Sequence, residues 1–489
     1  MNIKFSNYLL YIILLLSSFF LIRVFLWTWA SLDLSFDEAQ YYNWSQNLDW
    51  GYYSKPPMLA WIIKIFTLVC GDTELCIRIS SPFLHSLTAL FIGLTTYNFA
   101  SNKNKLTIFI AALIWLLIPG VSLSSGFIST DVPLLFFTSL SIFILSLFDK
   151  IDKNSKINIY FLLLGTTLAL AFLSKYAILY LLLGSLVSII FDKGIRDNFL
   201  QYFNLKRLFL ILISFFVIIS MHILWNFENG FITAYHTAAN ANIGGRWSGI
   251  SNFIKFFIEQ FFVFGPIAFY LLLVIFFKFK TLNNSERFLV FLTLTPIIII
   301  LLQAFISRAH ANWAAIAYVP GTIILALYFM GLLEKNRKNL FYINIIFGLL
   351  FLFLIPLSGI YNIGIDPYKK NRGWSELGLA ISDIYYQYPD AVFVADDRRV
   401  LAEALYYMKN KPKNWVRWNA DGIIHDHYEL VTNHDQLVAQ IGIMVSSELD
   451  DKHFKSFFED VVFIKTISRK IGKNKTKEYK VWILKGYIK

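Results

Sequence analysis

A chain of 489 residues that is 57% hydrophobic and 18% aromatic, with 16% charged residues and a mean hydropathy of +0.56, is not a soluble multidomain protein. It reads as a polytopic α-helical membrane protein, with its many Phe, Tyr and Trp facing lipid or lying at headgroup depth. The formal charge of +12 is spread over short loops and a tail without a basic stripe, which argues for membrane lipids and against nucleic acid as the partner.

Lys4 and the apolar run from Tyr8 to Ile22 begin as a signal peptide does. No small-x-small cleavage site follows, and the run continues through Arg23 to Ala30, which predicts a retained anchor. Arg23, and His222 further on, lie within spans; they read as a snorkelling side chain and a carbonyl-bound ring. Directly after this first span come Asp37-Glu38-Ala39-Gln40-Tyr41-Tyr42 and then Tyr52-Tyr53-Ser54-Lys55-Pro56-Pro57. The segment Pro56 to Gly71 is too short to span, is opened by two prolines and is interrupted by Lys64, so it predicts an interfacial helix with Trp50 and Trp61 in the headgroup layer. Cys70 and Cys76 are too few for a disulfide framework and read as unpaired apolar thiols, with pairing the alternative in an oxidising compartment.

Spanning takes roughly 20 apolar residues for about 30 Å of hydrocarbon, and about eleven runs qualify, near 8–30, 80–100, 106–122, 132–148, 157–174, 176–191, 208–225, 256–277, 288–305, 313–332 and 340–358. Lys175 alone separates the two halves of 157–191. Basic residues concentrate in alternate loops, such as Lys103 and Lys105, Lys150 to Lys156, Lys193 to Arg207, Lys278 to Arg287 and Lys335 to Lys338. With the N-terminus on that cytoplasmic side, the Asp37 loop faces outward, to the periplasm or the lumen of the secretory pathway. An odd number of spans sends the C-terminus out as well. The membrane domain is expected over 1–360 and a periplasmic α/β domain over 361–489, with strands at Ala391–Ala395, Ile441–Val445, Val461–Ile467 and Tyr479–Leu484 and a helix over Arg398–Met408.

The same topology puts Pro119 to Pro133 on the outer side, so Asp37, Glu38, Asp131 and Lys55 share one membrane face at span ends. Charge there marks a site or a cavity, or else Asp37-Glu38 and Asp131 merely cap helices. A carboxylate beside a cation suits transfer of a group from a phosphate leaving group: the carboxylate takes the acceptor proton and lysine offsets the phosphate charge. Arg246 or Arg308 would add a forked phosphate contact. No glycine-rich nucleotide loop occurs in the spans, which favours a lipid-linked phosphate donor. The loop from Trp225 to Phe253, with Tyr235, His236, Asn240 and Arg246, can line a sugar pocket, and Asn312-Trp313 stands at another outer span end. Catalytic work is expected of Asp37, Asp131 and Glu38, phosphate binding of Lys55, Arg246 and Arg308, and the pocket of Tyr53, His236 and Asn312. His425 and His427 have poor metal spacing; no cofactor is called for, and assistance by a divalent metal stays open.

Asp37-Glu38-Ala39-x-Tyr41, Tyr52-Tyr53-Ser54-Lys55-Pro56-Pro57, Gly71 through Glu74 to Arg78, Thr130-Asp131-Val132-Pro133-Leu134 and Asn312-Trp313 together resemble the bacterial branch of the dolichyl-phosphate-mannose protein mannosyltransferase family. That branch includes the aminoarabinose transferase of lipid A. The resemblance covers roughly 1–360 and implies an inverting membrane glycosyltransferase of the C-type fold in the bacterial inner membrane. It implies an undecaprenyl-phosphate-linked sugar donor and lipid A or lipopolysaccharide core as acceptor, with protein Ser/Thr the alternative. By position it makes Asp37 the catalytic carboxylate, Asp131 a second acidic residue, Lys55 a donor-phosphate contact and Tyr41 a family tyrosine that joins the phosphate-binding set. Gln40 departs from it, standing where the aminoarabinose transferase carries a phosphate-contacting arginine. Ala402 to Tyr407 also looks family-like, without an assignable role. The competing class, a lipid-linked sugar flippase, calls for pseudo-symmetric halves, and none is apparent.

Overall fold

The computed structural model describes residues 5–150, 157–242, 249–361, 368–472 and 475–488. The chain forms two compact units: one comprises residues up to Leu26, Lys55–Leu59 and Arg78–Pro356, the other Trp27–Ser54, Ala60–Ile77 and the chain from Leu357 onward.

All of the hydropathy runs carry helix. Among the described residues seven helices are long and apolar enough to cross a membrane, and up to nine if each of two bent pairs counts as one span. The departures from simple spans have local causes. Residues 106–122 break after Leu116 because Pro119 lacks an N–H and disfavours a helical Ile118, so a short helix Pro119–Ser124 follows Leu106–Leu116. Residues 256–277 bend by 113° at Gly265-Pro266, where Gly265 takes φ of 103°. The helix Ile178–Phe191 turns by 110° into Lys193–Tyr202, with Asp192 capping the new helix and forming an ion pair of 2.6 Å with Arg287.

Arg23 does not snorkel. It is fully buried and donates to Ser125 Oγ at 2.7 Å, to the Leu352 carbonyl at 2.8 Å and to the Ser122 carbonyl. Leu352 stands four residues before Pro356, whose missing N–H leaves that carbonyl without its helical donor, so the guanidinium satisfies acceptors that lipid cannot. His222 meets the Tyr176 hydroxyl at 2.8 Å. Helices Ile157–Ser174 and Leu205–Glu228 approach closely at Gly165, where a Cβ would lie 2.3 Å from the Ile211 carbonyl oxygen.

The second unit contains a five-stranded mixed sheet of β1 (Val392–Ala395), β2 (Trp415–Arg417), β3 (Gly442–Ser446), β4 (Phe458–Gly472) and β5 (Lys475–Tyr487), in the order β2-β1-β3-β5-β4. β1 pairs in parallel with β2 and β3, and the long hairpin β4–β5 joins antiparallel to β3. β1 and β3 are buried on both faces, which is why they read as unbroken apolar runs. β2 and the helix Trp374–Tyr385 have no counterpart in the sequence reading.

The first loop folds as part of this unit. Asp33 accepts the Trp374 N–H at 2.7 Å and so caps the helix Trp374–Tyr385. Asn43, on the helix Phe36–Gln46, donates to the Ala402 carbonyl at 3.0 Å and the Tyr428 hydroxyl at 2.9 Å. Tyr407 accepts the Leu34 N–H at 2.7 Å and donates to Glu74, and burial together with Glu74 pushes its phenol far above the ordinary value, so it stays a donor. Tyr406 donates to the Asp72 carbonyl at 2.8 Å. The stretch Ala402 to Tyr407 therefore anchors the first loop. Cys70 and Cys76 are not free thiols: they form a disulfide with Cα atoms 5.8 Å apart. Gly71, at φ of 91°, reverses the chain between the helices Met58–Cys70 and Glu74–Arg78 and brings the two sulfurs together.

Candidate active site

The helix Phe36–Gln46 opens with a capping box. Ser35 Oγ accepts the Glu38 N–H while Glu38 Oε2 accepts the Ser35 N–H at 2.9 Å. Glu38 is 1% exposed and holds the helix start. Asp37, the preceding residue, points elsewhere and has a half-exposed side chain. Gln40 lies one turn on, on the same face. Both meet Arg398, the first residue of the helix Arg398–Tyr407: Nη1 donates to Gln40 Oε1 at 2.8 Å, and Nη1 and Nη2 approach Asp37 Oδ1 at 3.4 and 3.5 Å. Asp37 Oδ2 accepts no hydrogen bond among the described residues. Tyr41 is buried with its ring 5.2 Å from Trp44. Tyr53 donates to the Ile424 carbonyl at 3.3 Å, and burial, with Asp426 and Glu429 nearby, raises its phenol. His427 packs edge-on against Trp44 and Tyr52, which stack on each other at 4.4 Å, and its burial pushes its imidazole down to about 4.

In the membrane unit Asp131 is the first residue of the helix Asp131–Leu145 and is 8% exposed. Its Oδ1 accepts Lys175 Nζ at 2.6 Å and its Oδ2 accepts Asn312 Nδ2 at 2.9 Å. Lys175 sits in the break between Ile157–Ser174 and Ile178–Phe191, and Asn312 on the 3₁₀ helix Ala311–Ala317, so three separate span ends deliver the triad. Lys55 is half-buried and belongs to the same unit. Arg308 is exposed, and its guanidinium donates to Asn240 Oδ1 at 3.5 Å. His236 lies on the helix Ile232–Ala241, half-buried, and Arg246 falls outside the described residues.

The carboxylates thus differ in state. Glu38 is spent on a cap, Asp131 is saturated by a cation and an amide, and Asp37 keeps an oxygen open. Lys175 and Arg398 were not read as site residues. Lys175 carried a signal, as a lone charge inside an apolar run. Arg398 carried none, because only the fold brings residue 398 to residue 37.

A family model described as dolichyl-phosphate-mannose-protein mannosyltransferase matches residues 54–225. The lipid A galacturonosyltransferase RgtD of Rhizobium johnstonii is 30% identical over 427 residues, covering 85% of this chain and 86% of that protein. The lipopolysaccharide core galacturonosyltransferase RgtA of the same organism is 24% identical over 340 residues, 67% of this chain and 65% of that protein. Among solved structures, ArnT from Cupriavidus metallidurans in the apo state superposes with a TM-score of 0.65 at 14% identity, over 96% of this chain and 97% of that one. The same protein bound to undecaprenyl phosphate gives 0.65 at 12% identity, over 98% of each chain. At these identities the likeness to ArnT is one of fold.

Proposed function

Because the chain belongs to the bacterial branch of the dolichyl-phosphate-mannose protein mannosyltransferase family, and is a multi-pass membrane glycosyltransferase of the C-type, we propose that it transfers a sugar from undecaprenyl phosphate to lipid A at the periplasmic face of the inner membrane. The observation that carries this reading is the 30% identity to RgtD over 85% of the chain. A hexuronic acid is the proposed sugar, since both curated relatives are galacturonosyltransferases, and lipopolysaccharide core is the alternative acceptor. The disulfide between Cys70 and Cys76 suits an oxidising compartment and supports the outward orientation of the first loop.

In the proposed reaction the acceptor oxygen attacks the anomeric carbon of the sugar while the bond from that carbon to the phosphate oxygen breaks, inverting the configuration. Undecaprenyl phosphate departs as a stable anion, so no acid catalyst is needed. The acceptor proton passes to Asp37, whose Oδ2 is open. Where the acceptor is a lipid A phosphate, already anionic, Asp37 positions it instead. Lys55 is proposed to hold the donor phosphate, with Tyr41, Arg308 and Arg246 as further contacts. Asp131 is proposed as a fixed acidic group, with Lys175 and Asn312 holding it. Tyr53, His236 and Asn312 are the proposed sugar-facing residues, and the chain from residue 361 onward the proposed periplasmic domain.

Mass spectrometry of lipid A and core from a deletion strain tests the reading. Loss of one hexuronic acid from lipid A, restored by the intact gene, is the expected result. Unchanged lipid A and core would overturn it.

A further inference from the structure

The guanidinium of Arg398 is placed against local preference. It opens a helix, where the positive end of the peptide dipoles disfavours a cation, and its neighbour Arg399 already takes the capping carboxylate Asp397 at 2.7 Å. Arg398 is left to reach across to the helix Phe36–Gln46. Its one short hydrogen bond there goes to a neutral amide, Gln40, while both approaches to Asp37 are 3.4 Å or longer and converge on a single oxygen. A closed guanidinium–carboxylate fork uses two parallel bonds of about 2.7–2.9 Å to two oxygens. This one is open, and both side chains are exposed to water, 36% for Arg398 and 50% for Asp37, so water screens the pair and its hold is weak. The platform is nevertheless anchored on several sides. Asn43 is bonded to Ala402 and Tyr428, and the Phe36 ring backs the guanidinium carbon at 5.1 Å. Lys370 Nζ lies 5.9 Å from the same ring, so a second cation stands on Phe36. A forked cation, held by Gln40 and only weakly engaged by a carboxylate, is what binding of an external anion requires.

We propose that Arg398 is a substrate-binding residue that exchanges Asp37 for an anionic group of the donor, either the carboxylate of the transferred sugar or its phosphate. The exchange closes the guanidinium fork on the donor and frees Asp37 Oδ1 for the acceptor, so donor binding readies the carboxylate. Gln40 holds the guanidinium in both states. This rests on the transferase reading above and names the residue that recognises the donor's charge.

The test uses the full-length enzyme in proteoliposomes with two donors, undecaprenyl-phosphate galacturonic acid and undecaprenyl-phosphate galactose, which differ by the carboxylate. Kinetics are measured for wild type, Arg398→Ala and Arg398→Lys, beside thermal unfolding and binding of sugar-free undecaprenyl phosphate. Carboxylate recognition predicts that Arg398→Ala raises KM about 10- to 100-fold for the uronyl donor only, with kcat nearly unchanged. Phosphate recognition predicts the same rise for both donors and a matching loss of undecaprenyl phosphate binding. Arg398→Lys, which keeps the charge without the fork, should recover only part of either loss. An unchanged KM in both variants, or a fall in kcat alone that follows a lowered unfolding temperature, overturns the assignment while leaving the transferase reading intact. Wild-type enzyme inactive with both donors overturns both.

Discussion

Asp131 and Asp37 each stand at the first turn of a helix, yet their surroundings are opposite. Asp131 is buried, and both its oxygens are engaged at 2.6 and 2.9 Å by groups from two other span ends. Asp37 is half-exposed, and among the described residues its side chain accepts hydrogen bonds from Arg398 alone, through one oxygen at 3.4 Å or more. A carboxylate that is to take a proton or seat an acceptor must have an unoccupied lone pair within reach. One that is to fix geometry and field must not move. The difference supports the working role proposed for Asp37 and the holding role proposed for Asp131, a division that residue type alone does not reveal.

The largest effect is expected at the open carboxylate. Asp37→Asn should lower the transfer rate by about 10²- to 10⁴-fold, the range of a lost general base, while unfolding temperature stays near wild type because the Arg398 contact is a weak exposed one. Full transfer activity from a polyprenyl-phosphate sugar by this variant would break the comparison at its centre. The held carboxylate should answer in stability. Lys175→Met strands a buried charge and should cost about 3–5 kcal/mol in denaturation of the detergent-solubilised protein. Adding Asp131→Asn to it should return most of that loss, because the double variant leaves no charge unpaired. An unfolding transition of Lys175→Met equal to wild type would mean that Asp131 is not held as the geometry has it.

This division also marks how far the sequence could be read. Helices of the membrane unit and strands β1, β3, β4 and β5 follow from apolar runs of the right length, and Asp37 and Asp131 stand out as charges beside such runs. Disulfide formation did not follow, since it depends on the reversal at Gly71 and not on the number of cysteines. Arg23 read as a snorkelling residue because the carbonyl freed by Pro356 lies 329 positions away in the chain. β2 was missed because a three-residue strand carries too little pattern. The partners of Asp37 were missed for the same reason as those of Arg23: the contact with Arg398 spans 361 positions, and no local periodicity encodes it. The alternative that Asp37-Glu38 caps a helix holds for Glu38, whose Ser35-x-x-Glu38 spacing is a capping signature in its own right.

The smallest effect sharpens the contrast from the side of pH. His427 packs on Trp44 and Tyr52, behind the helix that carries Asp37, and its Nδ1 faces the Tyr53 N–H at 3.5 Å. Its folded value is about 4 against an ordinary 6.5, so between those pH values the unfolded chain binds a proton that the folded one refuses. Stability from this group is therefore complete above about pH 6.5 and is lost as pH falls towards 4, by at most about 3 kcal/mol. Hydrogen exchange, corrected for its intrinsic pH dependence, should show the helix Phe36–Gln46 loosening between pH 7 and 5 while Asp131–Leu145 stays protected. His427→Gln should flatten the response of the first helix and leave the second as it was. Equal loosening of both helices, or an undiminished response in His427→Gln, would place the acid sensitivity outside this packing and remove pH as a means of separating the open carboxylate from the held one.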